Sequence, residues 1–135
     1  MTLVEIETAL GQRLTGISPV PRVAWPNKDA ALAVPYLEFR HVPVSVEDDT
    51  LDSTARRQVG LVLITVVAAR DEFATVANDL AQTVQARFPR GLRLPVAGKG
   101  QILISRHPEA VPPFQDGVYW RQPVRITYQT EELIA

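Results

Sequence analysis

The chain has 135 residues, 46% hydrophobic and 21% charged, with 14 basic residues against 15 acidic and a net charge of −1. This size suits a single domain over residues 1–135, and the balanced composition describes a globular protein, not a disordered or fibrous one. The near-neutral charge excludes the broad positive field of a dedicated nucleic-acid or anionic-membrane binder, and the absence of cysteine excludes a disulfide framework, a thiolate zinc site and a cysteine nucleophile.

The opening Met1-Thr2-Leu3-Val4-Glu5 has no basic stretch followed by an apolar run. The longest apolar run, Leu61 to Ala69, is broken by Thr65 and too short to span a bilayer, so neither export nor membrane insertion is expected. Thr2 and Glu5 stand in capping-box spacing, and Leu3, Ile6, Leu10 and Leu14 then form one helical stripe that Gly16 ends. From Ile17 to Pro35 the prolines at 19, 21, 26 and 35 remove backbone donors, which predicts an extended, irregular connection along the surface.

Tyr36 to Val44 reads as a strand with Leu37 and Phe39 on one face and Glu38 and Arg40 on the other, and Pro43 points to an edge or a strand end. Ser45 to Arg57 offers almost nothing apolar to bury and is expected to be a long mobile loop. Gln58 to Ala68, nearly unbroken in apolar residues, reads as a central strand covered on both faces, paired with the first as a long-tipped hairpin.

Asp71 is the expected N-cap of a second helix, in which Phe73, Val76, Ala77, Leu80, Val84 and Phe88 recur at helical spacing until Pro89 and Gly91. Gln101 to Arg106 reads as a short strand. Val118 to Gln129 reads as a longer one, with Val118, Trp120, Val124, Ile126 and Tyr128 opposite Arg121, Arg125 and Thr127. Helix, two strands, helix, two strands is an α+β pattern, a mostly antiparallel mixed sheet of about four strands with two helices packed on one face.

Chemistry-bearing motifs are scarce. His41 and His107 lack a second imidazole or thiol at ligand spacing, and Glu47, Asp48, Asp49 and Asp52 lack the calcium-loop pattern, so no metal ligand set is expected. Ala97-Gly98-Lys99-Gly100 misses the upstream glycine and the hydroxyl of a phosphate loop and reads as a tight turn with Lys99 at its tip. No nucleophile elbow, metalloprotease helix or dinucleotide fingerprint occurs, so neither catalytic residues nor a cofactor are assigned. Trp25 and Trp120 are read as core before interface. The candidate interface comprises Glu47, Asp48, Asp49, Asp52, Arg56 and Arg57 on the long loop, with Arg121 and Arg125 on the outward face of the last strand. A rival reading is a small ligand-binding module or enzyme using a pocket under the proline-rich segment, with Asp71, His41 or Tyr36 as its polar groups.

Trp25-Pro26-Asn27 after the first helix, Pro35-Tyr36-Leu37 opening the first strand, Gly60 in its apolar strand, and the closing Gly117-Val118-Tyr119-Trp120 with Pro123-Val124, Ile126 and Tyr128 follow one another in an order that resembles the tail-terminator-like family of phage and prophage proteins. The resemblance implies a non-enzymatic virion protein that caps the tail tube, usually as a hexameric ring, and presents a surface to head-completion (connector) proteins. It further implies self-association and contact with the tail tube protein as its partnerships, without membrane or sequence-specific nucleic acid, and assembly in the bacterial cytoplasm. Another neck or minor tail component is the nearest alternative.

Overall fold

A computed structural model describes residues 1–17, 22–25, 33–48, 55–69 and 74–133 of the chain. Helix α1 runs Leu3–Thr15 and α2 runs Ala74–Arg87. The strands are β1 (Val23–Ala24), β2 (Tyr36–Asp48), β3 (Ala55–Ala69), β4 (Arg93–Val96), β5 (Gly100–Ile104), β6 (Glu109–Ala110), β7 (Phe114–Asp116) and β8 (Tyr119–Leu133). They form one sheet in the order β1-β2-β3-β8-β5-β4, with β6 and β7 also on β8. Among the described residues only the β1–β2 pair is parallel. The α+β class and the two helices on one face hold, but the sheet has eight strands among the described residues where about four were expected. The additional ones, β1, β4, β6 and β7, are two to four residues long, too short for an alternating pattern to register in sequence.

The capping box at Thr2 forms as its spacing demands: the Glu5 N–H donates to Thr2 Oγ1 at 3.1 Å and the Thr2 N–H to Glu5 Oε1 at 2.9 Å. Ile6, Leu10 and Leu14 are buried, and Gly16 caps the helix. At their C-terminal ends the two helices are tied reciprocally. Arg13 Nε donates to the Arg87 carbonyl at 2.9 Å, and Arg87 Nε donates to the Arg13 carbonyl at 2.8 Å, so each guanidinium adds a hydrogen bond to a carbonyl in the last turn of the other helix. A side chain at Gly16 would collide with this clamp, since its Cβ would lie 2.1 Å from an Arg87 nitrogen.

On α2 Ala77, Ala81 and Val84 are buried, as is Phe88 just beyond its end, while Val76, expected in the stripe, is 40% exposed. The face is narrower than the apolar spacing suggested because small alanines let the helix sit close to β3 and β8. The expected Asp71 cap and Phe73 lie outside the described residues, as does most of the proline-rich connection. The described part of that connection contains β1, which pairs with Leu37 and Glu38.

The largest correction concerns Ser45 to Arg57, read as a loop. Strand pairing continues through Val46↔Gln58, Glu47↔Arg57 and Asp48↔Arg56, after a bulge between Pro43 and Ser45, so the hairpin arms are longer than their apolar content indicated. Main-chain hydrogen bonds sustain the ladder where the sequence offers little apolar content. β3 is central, between β2 and β8, but it is not covered on both faces over its length. Val62, Ile64 and Val66 are buried beneath the helices, while Leu61 and Leu63 on the other face are half-buried among neighbouring strands. β8 alternates as expected, with Val124, Ile126 and Tyr128 buried, though Val118 lies outside the strand and is 70% exposed.

Helix α1 touches both β2 and β4, which stand four places apart in the sheet. A flat sheet would separate them by about 19 Å, wider than a helix of roughly 10–12 Å, so the sheet curls around α1. Tyr128, among the largest fully buried side chains, lies across Gly60, where an added Cβ would be 2.5 Å from the phenolic oxygen. Gly60→Ala is therefore expected to lower the unfolding free energy by about 1–3 kcal/mol in urea denaturation, and by less in a Tyr128→Phe background, where the nearest oxygen is gone. Equal losses in both backgrounds would show that the close approach is not the cause.

Candidate functional site

The eight residues expected at an interface fall into separate places. Glu47 and Asp48 end β2, and Arg56 and Arg57 open β3, in register across the hairpin. Asp49 and Asp52, between them in sequence, lie outside the described residues. Arg121 is far away: on β8 it precedes Glu132, the partner of Arg56, by eleven residues, roughly 37 Å of strand. Its guanidinium is 17% exposed and engaged within the chain, with Nη1 2.8 Å from Glu38 Oε2, Nε 2.8 Å from Asp116 Oδ2, and Cζ 5.9 Å from the centre of the Tyr119 ring. Arg125, 45% exposed, lies between these ends with Nη1 3.8 Å from Glu109 Oε2. Glu47, Asp48, Arg56 and Arg57 thus share one end of the hairpin, and Arg121 and Arg125 belong to the outer face of the sheet.

The polar groups proposed for a ligand pocket do not converge. Tyr36 and His41 are five residues apart on β2 and so point to opposite faces of the sheet, and Asp71 lies outside the described residues. A hollow of about 450 Å³ does exist beside β1, lined by Glu7, Thr8, Gly11 and Gln12 of α1 with Trp25 and Phe39, but neither Tyr36 nor His41 lines it. Trp25 is half-buried there, its ring 5.4 Å from that of Phe39, and Trp120 packs at the rim of the core, so both tryptophans serve packing.

Sequence reasoning missed the partners of His41. Its side chain is 2% exposed, Nδ1 is 3.1 Å from Glu7 Oε1, and Nε2 meets the Tyr128 hydroxyl. A carboxylate only accepts, so Nδ1 carries the proton, and in the neutral ring Nε2 accepts from the phenol. Burial, with the Glu7 charge second, pushes the Tyr128 phenol up to about 12. The line Glu7–His41–Tyr128 has the parts of a proton relay, but its imidazole is shut away from the hollow that Glu7 lines. Its evident effect is to tie α1 to β2 and β8.

His107, expected at a turn, is exposed just after β5. The glycine-rich stretch forms the expected tight turn, with the Lys99 N–H donating to the Val96 carbonyl at 3.0 Å and Gly98 at φ 72°. Gly100 is required there, because a Cβ would lie 2.1 Å from the Glu131 carbonyl oxygen. Among the described residues no cluster of three or more His, Asp or Glu side chains is placed to hold a metal ion, and no helix is long and apolar enough to cross a membrane.

The residues left unexplained by packing are therefore surface charges and exposed apolar side chains. Comparison with known proteins supplies the family. The family model described as phage tail terminator protein matches residues 5–128.

The chain belongs to this tail terminator family.

Its role is accordingly that of a structural component of a phage tail, and the family is a structural one. Two solved structures share the fold of this tail terminator. One superposes over 100% of this chain and 99% of its own, with TM-score 0.78 and 21% identity. Another, from the virion of a native gene transfer agent particle, covers 94% of each chain with TM-score 0.67 and 17% identity. No curated protein matches the tail terminator sequence.

The raised Tyr128 pKa gives a pH prediction. Above pH 10 the unfolded chain releases this proton while the folded chain holds it, so the unfolded state binds fewer protons and stability falls as pH rises from about 10 to about 12. Denaturation midpoints should show that decline, on the order of 2 kcal/mol, and Tyr128→Phe should remove most of it. An unchanged decline in the variant would assign it to other groups.

Proposed function

We propose that the protein caps the tail tube as a homo-oligomeric ring, with six subunits the expected number, and joins the tube to head-completion proteins. The match of the tail terminator model to residues 5–128 carries this reading. The fold shared with a chain of a gene transfer agent virion supports it. A closed ring requires two different, complementary patches on each subunit, related by a rotation of about 60° for six copies.

The subunit offers surface suited to such contacts at both ends of its sheet. Val44 and Val46, each 63% exposed, lie near Leu3 and Val4 at one end, beside a hollow lined by Pro43, Val44, Val46 and Tyr128. Phe114, 49% exposed, and Val118, 70% exposed, lie at the other, around the β7–β8 turn. Isolated exposed apolar residues need no explanation, but groups at two opposite ends suit head-to-tail association. The turn from Glu47 to Arg57, including Asp48, Asp49, Asp52 and Arg56, supplies the charged interface, and Arg121 and Arg125 flank the outer face of the sheet. Self-association is the first partnership, with the tube protein and the head-completion protein meeting opposite rims of the ring. The protein is then a virion component that is assembled in the host cytoplasm.

The test is the mass of the purified protein over a concentration series, by light scattering after size-exclusion chromatography, with negative-stain images of any large species. A ring of defined mass whose population grows with concentration is expected, alone or on added tail tube protein. A strict monomer under both conditions would overturn the ring reading.

A further inference from the structure

We propose that a band of arginines across the outer face of the sheet, Arg40, Arg125, Arg106 and Arg90, holds the sugar-phosphate backbone of double-stranded DNA without reading its sequence. Each subunit carries the whole band, so the contact does not depend on the ring.

The sheet register builds the band. Arg40 on β2 stands opposite Leu63 on β3, Leu63 opposite Arg125 on β8, and Arg125 opposite Glu109 on β6. Directly opposed residues share a face, so both arginines lie on the outer side, two strand spacings or about 10 Å apart. Glu109 also lines a hollow of about 500 Å³, whose other walls are Arg90 after α2 and Ser105, Arg106 and His107 after β5. The Ser105 N–H donates to the Thr127 carbonyl at 3.2 Å and the Gly91 N–H to the Ile104 carbonyl at 2.8 Å, which fixes the hollow at the end of β5, beside the row. Gln85 Nε2 donates to the Pro108 carbonyl at 3.1 Å and ties its far wall to α2.

Opposite charge is scarce along this band. Arg40, Arg90 and Arg106 are exposed and have no ion pair among the described residues, and Arg125, 45% exposed, has Glu109 at 3.8 Å. In the rows on either side, Glu38 is held by Arg121, and Val42, Leu61 and Thr127 carry no charge. A chain with a net charge of −1 thus has a local positive surface on its outer sheet face.

The chemistry favours a phosphate chain over other anions. An arginine fork gives a phosphate two parallel hydrogen bonds, and arginines in a row suit a ligand whose charges repeat. A second copy has little to offer from its described residues. Its Glu38 and Asp116 pair with Arg121, Glu131 with Arg93, and Glu132 with the N-terminal ammonium. The band contains no Phe, Tyr or Trp ring on which unpaired bases could stack, which favours a duplex over a single strand. Its arginines stand on a sheet face and not on a helix or ribbon that could enter a groove, so they meet phosphates and carry no base readout.

Salt dependence with a matched charge control tests the assignment. Binding of a mixed-sequence duplex should weaken as salt rises, with a log–log slope of about −3 to −4, since each phosphate contact contributes about −0.9 and the band holds four arginines. Arg40→Gln and Arg106→Gln should each lower the slope by about one unit, and together by about two, while keeping the wild-type circular dichroism spectrum. Lys99→Gln removes the same charge from the exposed turn between β4 and β5, and should leave the slope unchanged. Absence of duplex binding at about 20 mM salt, tighter binding of a single strand, or an equal loss in Lys99→Gln would each overturn the band. Arginine variants that bind duplex as the wild type does, but lose self-association or binding to tail tubes, would assign the band to a protein partner and overturn the DNA contact.

Discussion

The position of Tyr128 constrains much of this fold. Its ring edge and hydroxyl lie against Gly60 on the neighbouring strand, where a Cβ would collide with them, and the hydroxyl continues to His41 and through it to Glu7. One side chain thus joins β8, β3, β2 and α1. The polar line is buried except at the Glu7 end, so its groups have protein partners instead of water, and breaking it leaves an unsatisfied imidazole or phenol inside. With α1 held there, and α2 clamped to it by the reciprocal Arg13 and Arg87 bonds, the sheet has a fixed body to curl around.

That arrangement leaves the surface to do the work of assembly. Both helices occupy the concave face, while the outer face and the two ends of the sheet carry half-buried aliphatics, paired charges and a few exposed apolar side chains. Charges satisfied within the chain, such as Arg121 between Glu38 and Asp116, brace the subunit. Arg90, Arg106 and His107 are exposed and have no ion pair among the described residues.

Much of the fold was legible because its signals are periodic and local. The Thr2–Glu5 capping box, the Ile6, Leu10 and Leu14 stripe and the alternation through Val124, Ile126 and Tyr128 each express a single geometric period. What was not legible depends on pairing across distance. The ladder from Val46 to Asp48 against Arg56 to Gln58 has no apolar face and reads as loop, and β4 is four residues with a proline at an edge, visible only once β5 is beside it. Gly60 was recognisable as notable, but its reason lies sixty-eight residues away at Tyr128. The family was legible as an order of short signatures.

The central claim is that this subunit terminates a tail tube. Its most direct test is to add tagged protein to purified, uncapped tail tubes and to locate the tag by electron microscopy. The account predicts label at one end of each tube, as a single closed density that stops further addition of tube subunits. Label along the tube wall, or tubes that continue to lengthen with the protein present, would contradict it.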